Sequence, residues 1–141
     1  MKTALLLAAA ALTTSACGGA SGPCTAVGPF APSALTTVSS AGGALQLEVR
    51  TAPQPPVRGI NSAQLTVTDA HGAPATGLTL SVTPWMPDMG HGASVQPTVQ
   101  DVGGGVYTLG CLDLVMPGTW QLRATFSGTV NDSATATLQV P

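Results

Sequence analysis

The residue types best suited to chemistry gather in Trp85-Met86-Pro87-Asp88-Met89-Gly90-His91-Gly92, where two thioethers, an imidazole and an indole fall within eight positions. Met and Trp ordinarily belong inside cores, on regular elements. Here Pro84, Pro87, Gly90 and Gly92 predict a loop instead. Soft donors collected on a loop invite a metal ion. The competing explanation is a Met-rich loop that lies over an open end of the core. Met116, just before Pro117-Gly118, is a further thioether. His71 sits in Asp69-Ala70-His71-Gly72, a solvated turn. Catalysis finds little support: there is no G-x-S-x-G elbow, H-E-x-x-H helix or P-loop, and the carboxylates are scattered. The chain reads as a binder and not as an enzyme.

The elements that position these residues are strands. From Ala44 onward the apolar residues recur with period two, the signature of half-buried strands. Leu45, Leu47 and Val49 alternate with polar neighbours, as do Leu65 with Val67, and Leu78, Leu80 and Val82. Val95, Pro97 and Val99 form a fourth run, with Pro97 marking an edge. Tyr107, Leu109 and Cys111 are expected on one face, and Gly105-Val106-Tyr107 suggests the start of a tyrosine corner. Trp120, Leu122, Ala124 and Phe126, then Ala134, Ala136, Leu138 and Val140, complete about seven strands, an immunoglobulin-like antiparallel β-sandwich. If successive strands alternate in direction, the turns at 70–77, 101–104 and 128–132 share one end. The loops at 51–61, 85–92 and 112–118 share the other. This places Met116 beside Met86, Met89 and His91, and His71 away from them.

Upstream of the strands, Lys2 precedes an apolar run from Ala4 to Leu12 and then small residues, the pattern of a secretory signal peptide over 1–16. The run is too short to span a bilayer. Thr14-Ser15-Ala16-Cys17-Gly18 resembles a bacterial lipobox, with Thr14 a departure from the usual larger aliphatic residue. Cys17 would then carry lipid, and residues 17–43, rich in Gly, Ala, Ser, Thr and Pro, read as a flexible spacer to a domain over 44–141. The expected location is therefore outside the cytoplasm, on a membrane and facing the periplasm or cell exterior. Loss of Lys2 takes the net charge from −2 to −3; without a basic patch, nucleic acid is excluded as a partner. With Cys17 acylated, Cys24 and Cys111 remain as a pair. An oxidising compartment favours a disulfide between them, the alternatives being free thiols or metal ligands.

The order G-I-N-S-A-Q-L-T-V-T-D-A-H-G-A-P, V-T-P-W-M-P-D-M-G-H-G, G-G-V-Y-T-L and V-M-P-G-T-W-Q-L resembles the YtkA-like domain, related to FixH-type proteins, over about residues 44 to 140. The M-P-x-M-x-H and M-P-G-x-W elements are its most specific parts. The resemblance implies an extracytoplasmic β-sandwich linked to copper handling, with copper-dependent oxidase assembly as the associated process and a copper-handling or oxidase-assembly protein as partner. Carried over position by position, Met86, Met89 and His91 match the first motif, and Met116 and Trp120 the second. A lipid anchor departs from members that span the membrane. Thioether sulfur is soft and neutral and selects Cu(I) over hard divalent ions, which agrees with that implication. Trp85 is a candidate cap over such a cation through its π face. A structural or interaction module of the cell envelope without metal, and an accessory component of a respiratory or efflux complex, are the other readings.

Overall fold

The computed structural model describes residues 24–141. Those residues form nine β-strands: β1 (Thr36–Ser39), β2 (Leu45–Ala52), β3 (Gly59–Asp69), β4 (Leu78–Met86), β5 (His91–Gly92), β6 (Thr98–Gly103), β7 (Val106–Leu114), β8 (Gly118–Gly128) and β9 (Asp132–Val140). All pair antiparallel, in two sheets of order β1-β2-β3-β7-β6 and β5-β4-β8-β9. Setting aside the short β1 and β5, the first, second, fifth and fourth strands face the third, sixth and seventh. This is the immunoglobulin arrangement that the alternating pattern predicts.

Period two builds the core directly. Leu45, Leu47 and Val49 of β2, Leu65 and Val67 of β3, Leu80 and Val82 of β4, and Leu122 and Phe126 of β8 are all buried, while their neighbours in sequence face outward. Each such side chain contributes roughly 1.5–3 kcal/mol by leaving water. Tyr107 is buried too, but its hydroxyl donates to the carbonyl of Leu78 at 3.1 Å, on the facing sheet. It therefore ties β7 to β4 and makes no tyrosine corner, which would close back on its own corner a few residues upstream.

Three further departures from the simple pattern shape the surface. The fourth strand lies at 98–103, three residues later than its apolar run, because 93–97 is spent crossing from β5 on one sheet to β6 on the other. Val95 is left exposed in that crossing. In β7 a bulge sets Gly110 and Cys111 opposite the single residue Ser62, with pairing resuming at Leu112↔Asn61. Cys111 takes φ +51°, and the phase of β7 flips: Leu109 is buried, then Leu112 and Leu114, while Cys111 turns to the outer face. The expectation that Tyr107, Leu109 and Cys111 share a face fails for this reason.

The turned-out Cys111 meets Cys24 in a disulfide, with Cα atoms 4.9 Å apart. The pairing expected from the cysteine count is therefore present. The stretch that follows Cys24, composed like a spacer, lies against the five-stranded sheet. The Val27 amide donates to Ser62 Oγ at 2.7 Å, Thr98 donates to the Cys24 carbonyl, and β1 pairs with β2. Gly110 permits this approach, since a Cβ there would collide with the Cys24 backbone.

The two ends of the sandwich divide as alternation requires. At one end, Thr129 donates to the Gly77 carbonyl at 3.2 Å, bringing the β3–β4 and β8–β9 turns together. His71 is exposed at this end, where its amide and that of Ala73 donate to Asp69 Oδ1 at 2.8 and 3.0 Å. At the other end, Arg58 Nε donates to the Val115 carbonyl at 2.9 Å, joining the β2–β3 and β7–β8 loops.

Candidate metal centre

Trp85 and Met86 are the last two residues of β4, and the stretch 85–92 is a hairpin where the prolines and glycines suggested a loop. Pro84 does not end the strand, and its orientation explains why. Its carbonyl accepts from the Ala93 amide at 3.2 Å, so the edge on which its N–H is missing faces β5 and not the β8 ladder. The chain turns through 87–90, where the Met86 carbonyl accepts from the amides of Met89 and Gly90 at 3.2 and 3.0 Å. Gly90, at φ +67°, supplies the left-handed residue that closes the turn. The return strand sets Gly92 opposite Trp85 and His91 opposite Met86.

Successive residues of a strand point to opposite faces. Met86, 4% exposed, enters the core, and Trp85 stands half-buried on the outer face of the sheet. There the Arg123 guanidinium lies 4.7 Å from the indole centroid, held by its own bonds to Gln121 Oε1 at 2.9 and 3.1 Å. The π face of Trp85 is occupied by a cation from this chain and is turned away from Met86. The proposed cap is therefore in the wrong place.

The other four candidates all lie at this end of the sandwich. His91 and Met86 are directly paired across the hairpin, a position that sets Cβ atoms about 4.5–5.5 Å apart on one face. The thioether methyl of Met86 rests against Gly118, where a Cβ would lie 2.7 Å from it. Met116, two residues before Gly118, is half-buried against the same core cluster. Met89 projects from the turn and is 58% exposed. The ring Nδ1 of His91 lies 3.0 Å from the Gly92 carbonyl. A carbonyl only accepts, so as a hydrogen bond this contact puts a proton on Nδ1, and in the neutral ring Nε2 then keeps its lone pair. Histidines that ligate metals are commonly oriented by such a bond.

The second motif owes its position to residues whose part the sequence did not reveal. Trp120, fully buried, donates its indole N–H to the Met116 carbonyl at 2.9 Å, and Arg58 holds the adjacent Val115 carbonyl. The M-P-G-x-W spacing carries the first of these signals, since it places the indole four residues beyond the methionine. Nothing in the sequence links Arg58 to Val115 across the fold.

Among the described residues no three His, Cys, Asp or Glu side chains converge as a metal site. Cys24 and Cys111 are spent on each other. Among the described residues the soft donors at this end are three thioethers, joined by one imidazole and by the exposed Asp88 carboxylate of the same turn; the softness of the thioethers fits a monovalent copper ion. The signal segment 1–16 and the lipobox Cys17 lie outside the described residues. Among those described, no helix is long and apolar enough to cross a membrane. A family model described as YtkA-like matches residues 42–125, a span that includes both methionine motifs. No curated protein and no solved structure matches the chain.

Proposed function

The chain belongs to the YtkA-like family, and from that premise we propose that it is an exported lipoprotein, acylated at Cys17, that binds copper(I) and passes it on. The cargo is held at the end of the sandwich that carries Met86, Met89, His91 and Met116. One observation carries the reading: the hairpin register sets His91 opposite Met86, while the Met86 methyl rests on Gly118, two residues beyond Met116. Thioethers bind without losing a proton. Met89, exposed on the turn, is the donor suited to exchanging the ion with another protein, and Met86, buried, the one suited to retaining it. A copper-handling or oxidase-assembly protein is the corresponding partner.

The test is a Cu(I) titration of the oxidised, disulfide-intact protein against a chromogenic chelator. One equivalent is expected. Met89→Leu and His91→Ala should each weaken binding, and His71→Ala, at the opposite end, should leave it unchanged. Equal losses from the His71 and His91 substitutions, or no Cu(I) binding by the intact domain, would refute the reading. The second outcome leaves a metal-free immunoglobulin-like module, in which Met86 and Met116 are packing alone.

A further inference from the structure

Two of the six large apolar side chains left exposed among the described residues lie beside the disulfide, Val27 at 69% and Ile60 at 62%, and a third, Val57 at 42%, is three residues from Ile60 in the chain. Val27 and Ile60 line an open groove of about 410 Å³ on the five-stranded sheet, along with Pro29, Pro53 and both cysteines; none of the lining side chains is charged, and the nearest carboxylate in register is Asp113, opposite Ile60. Val57 is joined to it through Asn61, which accepts from the Val57 amide at 2.9 Å and donates to the Val57 and Gly59 carbonyls. Arg58, next to Val57 in the chain, is exposed.

The position of the disulfide decides what this patch meets. Cys111 lies three residues before the end of β7, about 10 Å from the end of the sandwich that carries the methionines. Its partner Cys24 is itself in the groove wall. Six residues separate Cys24 from Cys17, so the span between them reaches at most about 25 Å. The eleven-residue strands β3 and β8 are longer than that, at about 36 Å. An acyl chain on Cys17 therefore keeps the groove within a short leash of the bilayer.

We propose that the surface formed by Val27, Pro29, Pro53, Val57 and Ile60, with Arg58 next to Val57, rests on the membrane in which the acyl chain is inserted, and so turns the methionine end of the sandwich toward the bilayer. The inference rests on acylation at Cys17 and is independent of the copper reading. Apolar side chains enter the headgroup boundary and Arg58 meets anionic phosphate. Arg58 also holds the Val115 carbonyl, one residue from Met116. The thioether cluster then faces whatever lies in the membrane plane, and the His71 turn faces away from it.

The full chain, exported and processed by a bacterial host, would be reconstituted in phosphatidylethanolamine–phosphatidylglycerol vesicles, and its intact mass recorded. Amide hydrogen exchange would then be compared with that of the unacylated Cys17→Ser protein in solution. Exchange within 25–28 and 57–60 should slow several-fold on vesicles, with the 70–77 turn unchanged. The double variant Val27→Asp/Ile60→Asp changes two exposed side chains, so the fold and the acylation should survive while the protection is lost. Equal exchange at the two ends, protection of the 70–77 turn instead, or protection that persists in the double variant would overturn the proposal while leaving the lipoprotein reading intact. A mass without acylation at Cys17 would overturn both.

Discussion

Removing the disulfide with Cys24→Ala/Cys111→Ala should lower stability substantially, and the size of the loss follows from the chain length it closes. The two residues are 87 apart. In the chain-entropy model, cross-linking a loop of that length removes about 4.6 kcal/mol of denatured-state freedom. Measured losses fall below that ceiling, so about 2–4 kcal/mol is expected. With a urea m-value of about 2 kcal/mol per molar, the midpoint should fall by about 1–2 M, and m should rise as the open chain exposes more surface. Both cysteines occupy positive φ, at +55° and +51°, where Ala remains strained. Cys24→Ala/Cys111→Gly should therefore recover about 1 kcal/mol relative to the double alanine variant. Urea unfolding followed by tryptophan fluorescence, with Trp120 buried in the core, reads all three proteins. A midpoint shift below about 0.3 M with unchanged m would refute the entropic reasoning. A glycine variant no more stable than the alanine one would refute the account of the bulge.

Met86 should separate packing from chemistry: Met86→Ala should cost about 2–5 kcal/mol by opening a cavity against Gly118, whereas Met86→Leu should cost under about 1.5 kcal/mol and still weaken Cu(I) binding in the chelator titration. Arg123→Ala should shift the emission of Trp85, cost about 0.5–1 kcal/mol in urea unfolding and leave Cu(I) affinity unchanged, since that pair faces away from Met86. Asp132 is held below the ordinary carboxylate range by hydrogen bonds from the Ser40 hydroxyl, the Gly42 amide and the Ser133 amide. A depressed folded pKa stabilises above the unfolded value of about 4 and is lost as pH falls through the folded one. The gap in Tm between the wild type and Asp132→Asn should therefore be present at pH 6 and shrink steadily below pH 4.

The sheet arrangement was legible in the sequence because the long strands β2, β4, β8 and β9 are half-buried, and a half-buried strand must alternate. The runs at 45–49, 78–82 and 120–126 carry their own facing in their spacing. Strand count and antiparallel connection then separate His71 from Met116 without coordinates. The Cys24–Cys111 pairing is an expectation that follows from assigning Cys17 to a lipid, with free thiols and metal ligation as its alternatives. The facing of Cys111 was not legible, because a bulge adds one residue and reverses the phase. Its one trace in sequence is the slip from Leu109 to Leu112 and Leu114.

The methionine stretch shows the other limit. Pro84, Pro87, Gly90 and Gly92 argue for a loop on local grounds, yet pairing with β8 carries β4 through Pro84 to Trp85, and pairing with β5 extends it to Met86, because the edge of Pro84 lacking an N–H faces away from the β8 ladder. That one fact sends Met86 inward and Trp85 outward, and only the sheet determines which edge of Pro84 faces which strand. The residue types capable of holding a soft ion are thus a property of the sequence. Which of them share a face is decided by register, a relation between strands distant in the chain that no local pattern records.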